Sequence, residues 1–321
     1  MAVDGSELSM RGVRLAAYLM DPERDRIKVV MVNMPEGVAP VSVEESLKSA
    51  DITRKHDSPT KVLSAARSEL AKCGCPAEKI QTDELYLEEE GTGGADTLQA
   101  VAELLVSLAN RMLRRTAGML VLGAAGIGKA QKGTAKKAVD MGPVAHHALR
   151  YAKCAVTLCK EAQVDLDSPL RATRFALHIC VCADGSATSR GAFDAALRFC
   201  KAGDKLTVLH IASASTDGGM SDRVDGEEHM VRRYWMDECE KVSFARDGLS
   251  VSFAPVILPR QQTIVSTIIA FVEANQCQLC VMGSIQLIKL EQGGIVLGSV
   301  AQAVANRCRA HCCIVKSYGQ E

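Results

Sequence analysis

The sequence predicts an α/β protein built from two repeated, doubly wound domains, and three observations predict it. Asp4-Gly5-Ser6-x-x-Ser9 recurs as Asp184-Gly185-Ser186-x-x-Ser189. Each copy precedes an amphipathic segment and then an apolar run, 27–32 in the first half and 206–211 in the second. Later in each half an apolar run stops at a glycine, Met119-Leu-Val-Leu-Gly123 and Leu279-Cys-Val-Met-Gly283. A repeat of that size in 321 residues means two homologous domains, each long enough to bury a core. We place them at 1–160 and 173–321, with 161–172, which carries Asp165, Asp167 and Ser168-Pro169, as the linker.

The second half states the order more clearly. Residues 175–182 are apolar with little alternation, the mark of a strand buried on both faces of a parallel sheet. The run ends at Asp184-Gly185-Ser186, a turn that also caps a helix. Ala192, Phe193, Ala196, Leu197 and Cys200 recur at helical spacing until Gly203. A strand at 206–211, a Ser/Asp/Gly-rich loop at 213–226, a helix at 227–246 and a strand at 249–258 follow. Ile264, Ile268, Ile269 and Val272 mark the next helix, and 279–282 the fourth strand. Val300, Val304 and Cys308 mark the last helix, and 312–315 the fifth strand. Strands that alternate with helices in this way form a doubly wound parallel sheet.

The first half repeats the order. Its first strand has only Met1-Ala-Val3 available, so it is a stub or the chain begins inside an older domain. Val13, Ala16, Ala17 and Met20 give a helix that stops at Asp21-Pro22, and 35–60 read as a polar loop. Helices at 62–73 and 98–114 flank a strand at 84–89, and strands at 119–123 and 154–158 complete the series.

Composition narrows the function. The 38 basic and 38 acidic residues cancel, which argues against a general electrostatic grip on nucleic acid or anionic lipid. The acidic start has no export signal, and no apolar stretch is long enough to span a bilayer. Thirteen cysteines without such a signal predict a reducing compartment, the cytoplasm, and free thiols. Cys277-x-x-Cys280 and Cys73-x-Cys75 are read as packing residues, since no second ligand pair stands at a zinc distance, and no metal site is expected. His146-His147 is read as surface or satisfied, and His210 as a hydrogen-bonded core histidine. No Ser-His-Asp set or carboxylate pair emerges from spacing.

In such a sheet a ligand sits at the carboxyl ends of the strands, where the winding reverses. Those ends carry Asp184, Ile211 and Gly283 in the second half, and Asp4, Val32 and Gly123 in the first. The fourth-strand loops lead to Gly298-Ser299-Val300 and to Met141-Gly142-Pro143-Val144, each opening a helix. Glycines and a helix N-terminus together offer N–H groups to an anion. Gly123-Ala-Ala-Gly126-Ile-Gly128-Lys129 also matches the P-loop spacing, but Ala130 stands where the magnesium ligand belongs. Lys129, Lys132, Lys136 and Lys137 form a basic run that suits a solvated loop, or one that draws a phosphate or an acidic partner.

On these residues both halves resemble the universal stress protein family. The Asp-Gly-Ser-x-x-Ser starts, the strands at 206–211 and 279–284, and the closing Gly298-Ser-Val and Cys312-Cys-Ile-Val-Lys316 carry the likeness. The resemblance implies a Rossmann-like five-stranded parallel sheet with helices on both faces in each half. It also implies pairing through the last strand, here as an intrachain pseudo-dimer, and two such units could associate as a homodimer. The implied ligand is ATP or AMP, with or without Mg2+. Asp184 would meet the ribose or adenine side, Ile211 the adenine, Gly283 the ribose and phosphate, and Gly298, Ser299 and Val300 the phosphates. The weaker matches in the first half are Asp4, Val32, Gly123, Gly126, Gly142 and Val144.

Two departures bear on that site. Gln286 stands where the family's second glycine belongs, and Pro143 replaces the serine or threonine. The expected function is a non-enzymatic stress-response or signalling module that binds an adenine nucleotide, with hydrolysis slow at most. The alternatives are an interaction or scaffold protein that keeps the fold without the ligand and, more weakly, a P-loop phosphotransferase using Lys129.

Overall fold

The computed structural model describes residues 1–33, 58–87, 94–113, 118–124, 141–160, 176–212, 222–289 and 294–317. It divides into two compact units, one ending after residue 160 and the other beginning before residue 176. Among the described residues no helix is long and apolar enough to cross a membrane.

The second unit contains β5 (His178–Cys182), α5 (Ala187–Phe199), β6 (Lys205–Ala212), α6 (Asp222–Ala245) and β7 (Ser250–Ile257). It continues through α7 (Ile264–Ala274), β8 (Leu279–Lys289), β9 (Gly294–Leu297), α8 (Ser299–Arg307) and β10 (His311–Ser317). Its parallel strands lie in the order β10-β8-β5-β6-β7. Cys180 stands opposite Cys280 on one side and Thr207 on the other. Ile179, Val181, Leu206, Val208, Leu279 and Val281 are buried, as expected of strands covered on both faces. Winding reverses between β5 and β8, which sets the crevice at their carboxyl ends.

The first unit has α1 (Glu7–Leu19), β1 (Ile27–Asn33), α2 (Pro59–Lys72), β2 (Ile80–Tyr86), α3 (Gly94–Leu113), β3 (Met119–Gly123), α4 (Pro143–Tyr151) and β4 (Ala155–Cys159). Both β1–β2 and β3–β4 pair in parallel. The short start of the chain bridges them: Ala2 N donates to Val121 O at 3.1 Å and Val3 N to Val30 O at 2.9 Å. The missing first strand is therefore a stub in the central position. Val3, Val13, Val29, Val62, Leu63 and Leu70 form the core beneath it.

Three boundaries move. Helix α6 begins at Asp222, inside the segment read as a loop. Strand β2 begins four residues before the expected 84, where the apolar Ile80 pairs with Ile27. The stretch read as a phosphate loop after 283 is a hairpin: β8 runs on to Lys289, and β9 returns antiparallel with Gln286 opposite Leu297. Ile285, Leu287 and Ile288 before Gly293-Gly294, and Ile295-Val296-Leu297 after it, carry a hairpin signal.

The cysteines of β5 and β8 fill the sheet. Cys180 and Cys280 are fully buried, Cys277 is 6% exposed, and Cys182 Sγ lies 3.9 Å from Cys280 Sγ. The thirteen thiols are free. Burial pushes those of Cys159, Cys200 and Cys239 up to about 12. Among the described residues no group of three or more His, Cys, Asp or Glu is placed to hold a metal ion.

Candidate functional site

Three strand ends and one helix start define the crevice of the second unit. As β5 ends, Ala183 N donates to Leu209 O at 2.8 Å, which binds the start of the turn to β6. Asp184 Oδ1 then accepts from Ser186 N at 3.0 Å and from Ser186 Oγ at 2.6 Å. Burial raises the Asp184 carboxyl, but the hydrogen bonds from Ser186 and Ser189 outweigh it and hold the group below the usual carboxylate range. Gly185 takes φ +81°, a left-handed turn that glycine adopts without strain. Ser186 caps α5 by accepting from Ser189 N at 3.2 Å.

The first unit reproduces the backbone turn and the cap. Ser6 N donates to Asp4 Oδ1 at 2.9 Å, Gly5 has φ +78°, and Ser9 N donates to Ser6 Oγ at 3.2 Å. The Asp-Gly-Ser-x-x-Ser repeat is thus a helix-capping device in both halves.

Ile211 is half-buried at the end of β6, opposite Val256. Gly283 sits on β8 opposite Val315, with its Cα against the first turn of α5. A Cβ there would lie 2.3 Å from Thr188 O and 2.4 Å from Thr188 C. Backbone packing against α5 therefore requires glycine at this position of β8. Gly298 is the N-cap of α8, followed by exposed Ser299 and half-buried Val300. Gly298 N donates to Ser284 Oγ at 3.2 Å, which joins the middle of β8 to the start of α8 at the base of the hairpin.

In the first unit the corresponding junction is backbone to backbone: Gly142 N donates to Ala124 O at 2.8 Å, and Ala124 N to Cys159 O at 2.8 Å. Gly142 is the N-cap of α4 and Pro143 opens it, a favourable place for proline that also removes one N–H. Val32 and Val144 pack with Leu85 and Leu87 against Val30, Val101, Leu105 and Leu108. Gly123 ends β3 opposite Cys159. Gly126 and the P-loop candidate Lys129, with Ala130, Lys132, Lys136 and Lys137, lie outside the described residues.

One group of side chains at the second crevice escaped the sequence reading. His210 Nδ1 bonds Ala183 O at 2.8 Å, immediately before Asp184, while Nε2 meets Glu228 Oε1 at 2.9 Å. Arg232 Nε donates to the same Glu228 oxygen at 2.7 Å. Burial raises the Glu228 carboxyl, and hydrogen bonds from Arg232 and His210 bring it net below its ordinary value. Val231 closes over Gly185, where an added Cβ would meet Val231 Cγ2 at 2.8 Å. The Arg190 guanidinium lies 4.7 Å from the centre of the Tyr234 ring, and Phe193 packs edge-on to Trp235 at 5.4 Å. Helix α6 is therefore tied directly to the Asp184 turn. The i,i+4 pair Glu228–Arg232 is visible in the sequence, but its histidine partner is eighteen residues away on another element.

With this geometry in view, comparison with known proteins bears on the family. The model of the "Universal stress protein family" matches residues 177–316. This segment belongs to the universal stress protein family. The fold likeness of the universal stress protein domain extends over the whole chain: a universal stress protein from Archaeoglobus fulgidus is 16% identical, with a TM-score of 0.56, covering 98% of this chain and 96% of that one. A functionally unknown protein from Pseudomonas aeruginosa is 12% identical, with a TM-score of 0.53, covering 97% of this chain and 88% of that one. At these identities the likeness shows fold, so the first unit shares the α/β architecture of the universal stress protein domain. No curated protein sequence matches the chain.

Proposed function

We propose that the universal stress protein domain at 177–316 binds an adenine nucleotide and acts as a non-catalytic signalling module. The observation that carries the reading is the Ser284–Gly298 bond, which gathers Gly283, Gly298, Ser299 and Val300 at one end of the sheet. The free N–H groups of the first turn of α8 attract an anion, an effect of about 0.3–1 kcal/mol at an exposed helix start. Ser299 adds a hydroxyl donor. Asp184 uses one oxygen for Ser186, and an ionised carboxylate takes several donors, so a ribose hydroxyl can join. Ile211 supplies apolar surface for a base.

The reading is binding rather than hydrolysis, because these residues orient and neutralise without a base aimed at water. The first half is proposed as the fold-retaining partner. Pro143 contributes no N–H at the start of α4, and Val32 and Val144 are packed together with Leu85 and Leu87. The thiol-rich composition favours the cytoplasm.

The test is the small-molecule content of the purified chain. Acid release followed by mass spectrometry should yield AMP or ATP, either co-purified or retained after incubation with nucleotide and Mg2+. Failure to retain any adenine nucleotide under either condition would leave the scaffold function in its place.

A further inference from the structure

Thiols gather at the centre of the second sheet. Cys180 on β5 stands opposite Cys280 on β8, and Cys280 stands opposite Cys312 on β10. Residues in register on parallel strands turn their side chains to one face, and so do residues two apart on one strand. Cys182 therefore shares the face of Cys180, Cys280 and Cys312. Met282 is its direct neighbour on β8, and Cys280 its diagonal one. The sulfurs of Cys182 and Cys280 lie 3.9 Å apart.

Any small apolar residue would fill this space, but two features set the pair apart. Cys180 and Cys280 are fully buried, whereas Cys182 is half-buried at the carboxyl end of β5, two residues before the exposed Asp184. Hydrogen bonds from the Cys180 and Cys280 thiols also pull the Cys182 thiol down, against burial, which raises it. The bond to Cys180 lowers the Cys280 thiol, but the bond to Cys182 and burial outweigh it and push that group up. The more accessible sulfur is thus the better nucleophile, and a protonated thiol stands next to it. Cys277 is the competing nucleophile, since bonds from Cys180 and then His178 outweigh burial and bring it down too. It is more deeply buried than Cys182, and its sulfur faces His178 Nδ1 at 3.7 Å.

We propose that Cys182 and Cys280 are a peroxide-reactive thiol pair that closes to a disulfide between β5 and β8. The Cys182 thiolate attacks one oxygen of hydrogen peroxide. An S–O bond forms, the O–O bond breaks, and the departing hydroxide takes up a proton as water. The sulfur has given two electrons to the peroxide and stands as a sulfenic acid. The Cys280 sulfur then attacks the Cys182 sulfur. Its proton and the sulfenic hydroxide leave together as water while the S–S bond forms. In total, two thiols and one peroxide give one disulfide and two waters. Closure brings the sulfurs from 3.9 Å to about 2.0 Å, and a dithiol reductant reverses it. The pair rests on the thiols alone and does not depend on a ligand in the crevice.

The test treats the reduced full chain with one equivalent of hydrogen peroxide, blocks the remaining thiols with iodoacetamide and digests with trypsin. Cleavage at Arg174, Arg190, Arg260 and Lys289 leaves Cys180 and Cys182 on one peptide and Cys277 and Cys280 on another. Fragmentation spectra then assign the linked sulfurs. The expected product is a Cys182–Cys280 link that dithiothreitol removes. Cys182→Ala should abolish the link, and Cys277→Ala should leave it. In Cys280→Ala the sulfenic acid has no partner at that distance, so dimedone should trap it on Cys182. The parent chain decides the matter even where a variant fails to fold. A link from Cys180 to Cys277 or Cys280, a link that survives Cys182→Ala, or recovery of Cys182 and Cys280 as free thiols would overturn the proposal.

Discussion

The two halves share one capping turn and diverge at the helix that should face a ligand. In the first, Gly142 N–H is closed off by the Ala124 carbonyl and Pro143 follows; in the second, Gly298 N–H meets the Ser284 hydroxyl and Ser299 follows. A carbonyl only accepts, whereas a hydroxyl both accepts and donates. The difference teaches that sequence motifs conserved within a chain by duplication can mark architecture, while the capacity to bind rests on the residue beside them.

The largest expected break in the comparison is Gly283→Ala. Its Cβ would lie 2.3 Å from the Thr188 carbonyl oxygen, so β8 or α5 must shift. Overpacking of this kind costs about 1–3 kcal/mol or more, read as a lowered midpoint in urea unfolding followed by circular dichroism. An unchanged midpoint would show that the contact between β8 and α5 relaxes freely.

Next come the two turn glycines. Both take positive φ, so alanine at either strains the backbone by about 1–2 kcal/mol. At Gly185 the new Cβ also meets Val231 Cγ2 at 2.8 Å, against 3.2 Å to Val62 Cγ2 at Gly5. Gly185→Ala should therefore destabilise more than Gly5→Ala in the same unfolding measurement, and combining it with Val231→Ala should recover the difference. Equal losses would deny α6 its place over the Asp184 turn.

The caps should differ by one bond. Ser6→Ala and Ser186→Ala each remove a 3.2 Å bond to the N3 amide, at a cost of about 1 kcal/mol. Ser186→Ala also removes the 2.6 Å bond to Asp184 Oδ1 and should cost more in unfolding free energy. A smaller loss than in Ser6→Ala would deny that bond its part in the turn.

The smallest effect is electrostatic. Asp184 has a folded pKa below its ordinary value of 3.8, so its stabilisation is complete above that value and is lost as pH falls below it toward the folded pKa. Asp184→Asn should therefore lower stability at pH 7 and flatten acid unfolding below about pH 4, the difference from the parent closing as the pH falls. Differences between the variant and the parent that persist to the same extent at pH 2 would rule out this source.

Much of this was legible beforehand. Apolar runs locate nine of the ten strands among the described residues, and Asp-Gly-Ser-x-x-Ser locates both caps, because local hydrogen bonds and burial determine them. The hairpin at 279–297 was hidden because Gly283 and Gly298-Ser299 also fit a phosphate loop, and Gln286 signals strand rather than turn only once its partner Leu297 is known. His210, Glu228 and Arg232 could not be joined by spacing, since a strand and a helix bring them together. The contact between Gly283 and Thr188 is likewise a matter of tertiary packing, invisible to any local pattern.

The most direct test of the central claim is isothermal titration of the full chain with ATP and AMP, with and without Mg2+, for the parent, Asp184→Ala and Asp4→Ala. The account predicts nucleotide binding that Asp184→Ala removes and Asp4→Ala leaves intact. Binding that survives Asp184→Ala but disappears in Asp4→Ala would contradict it.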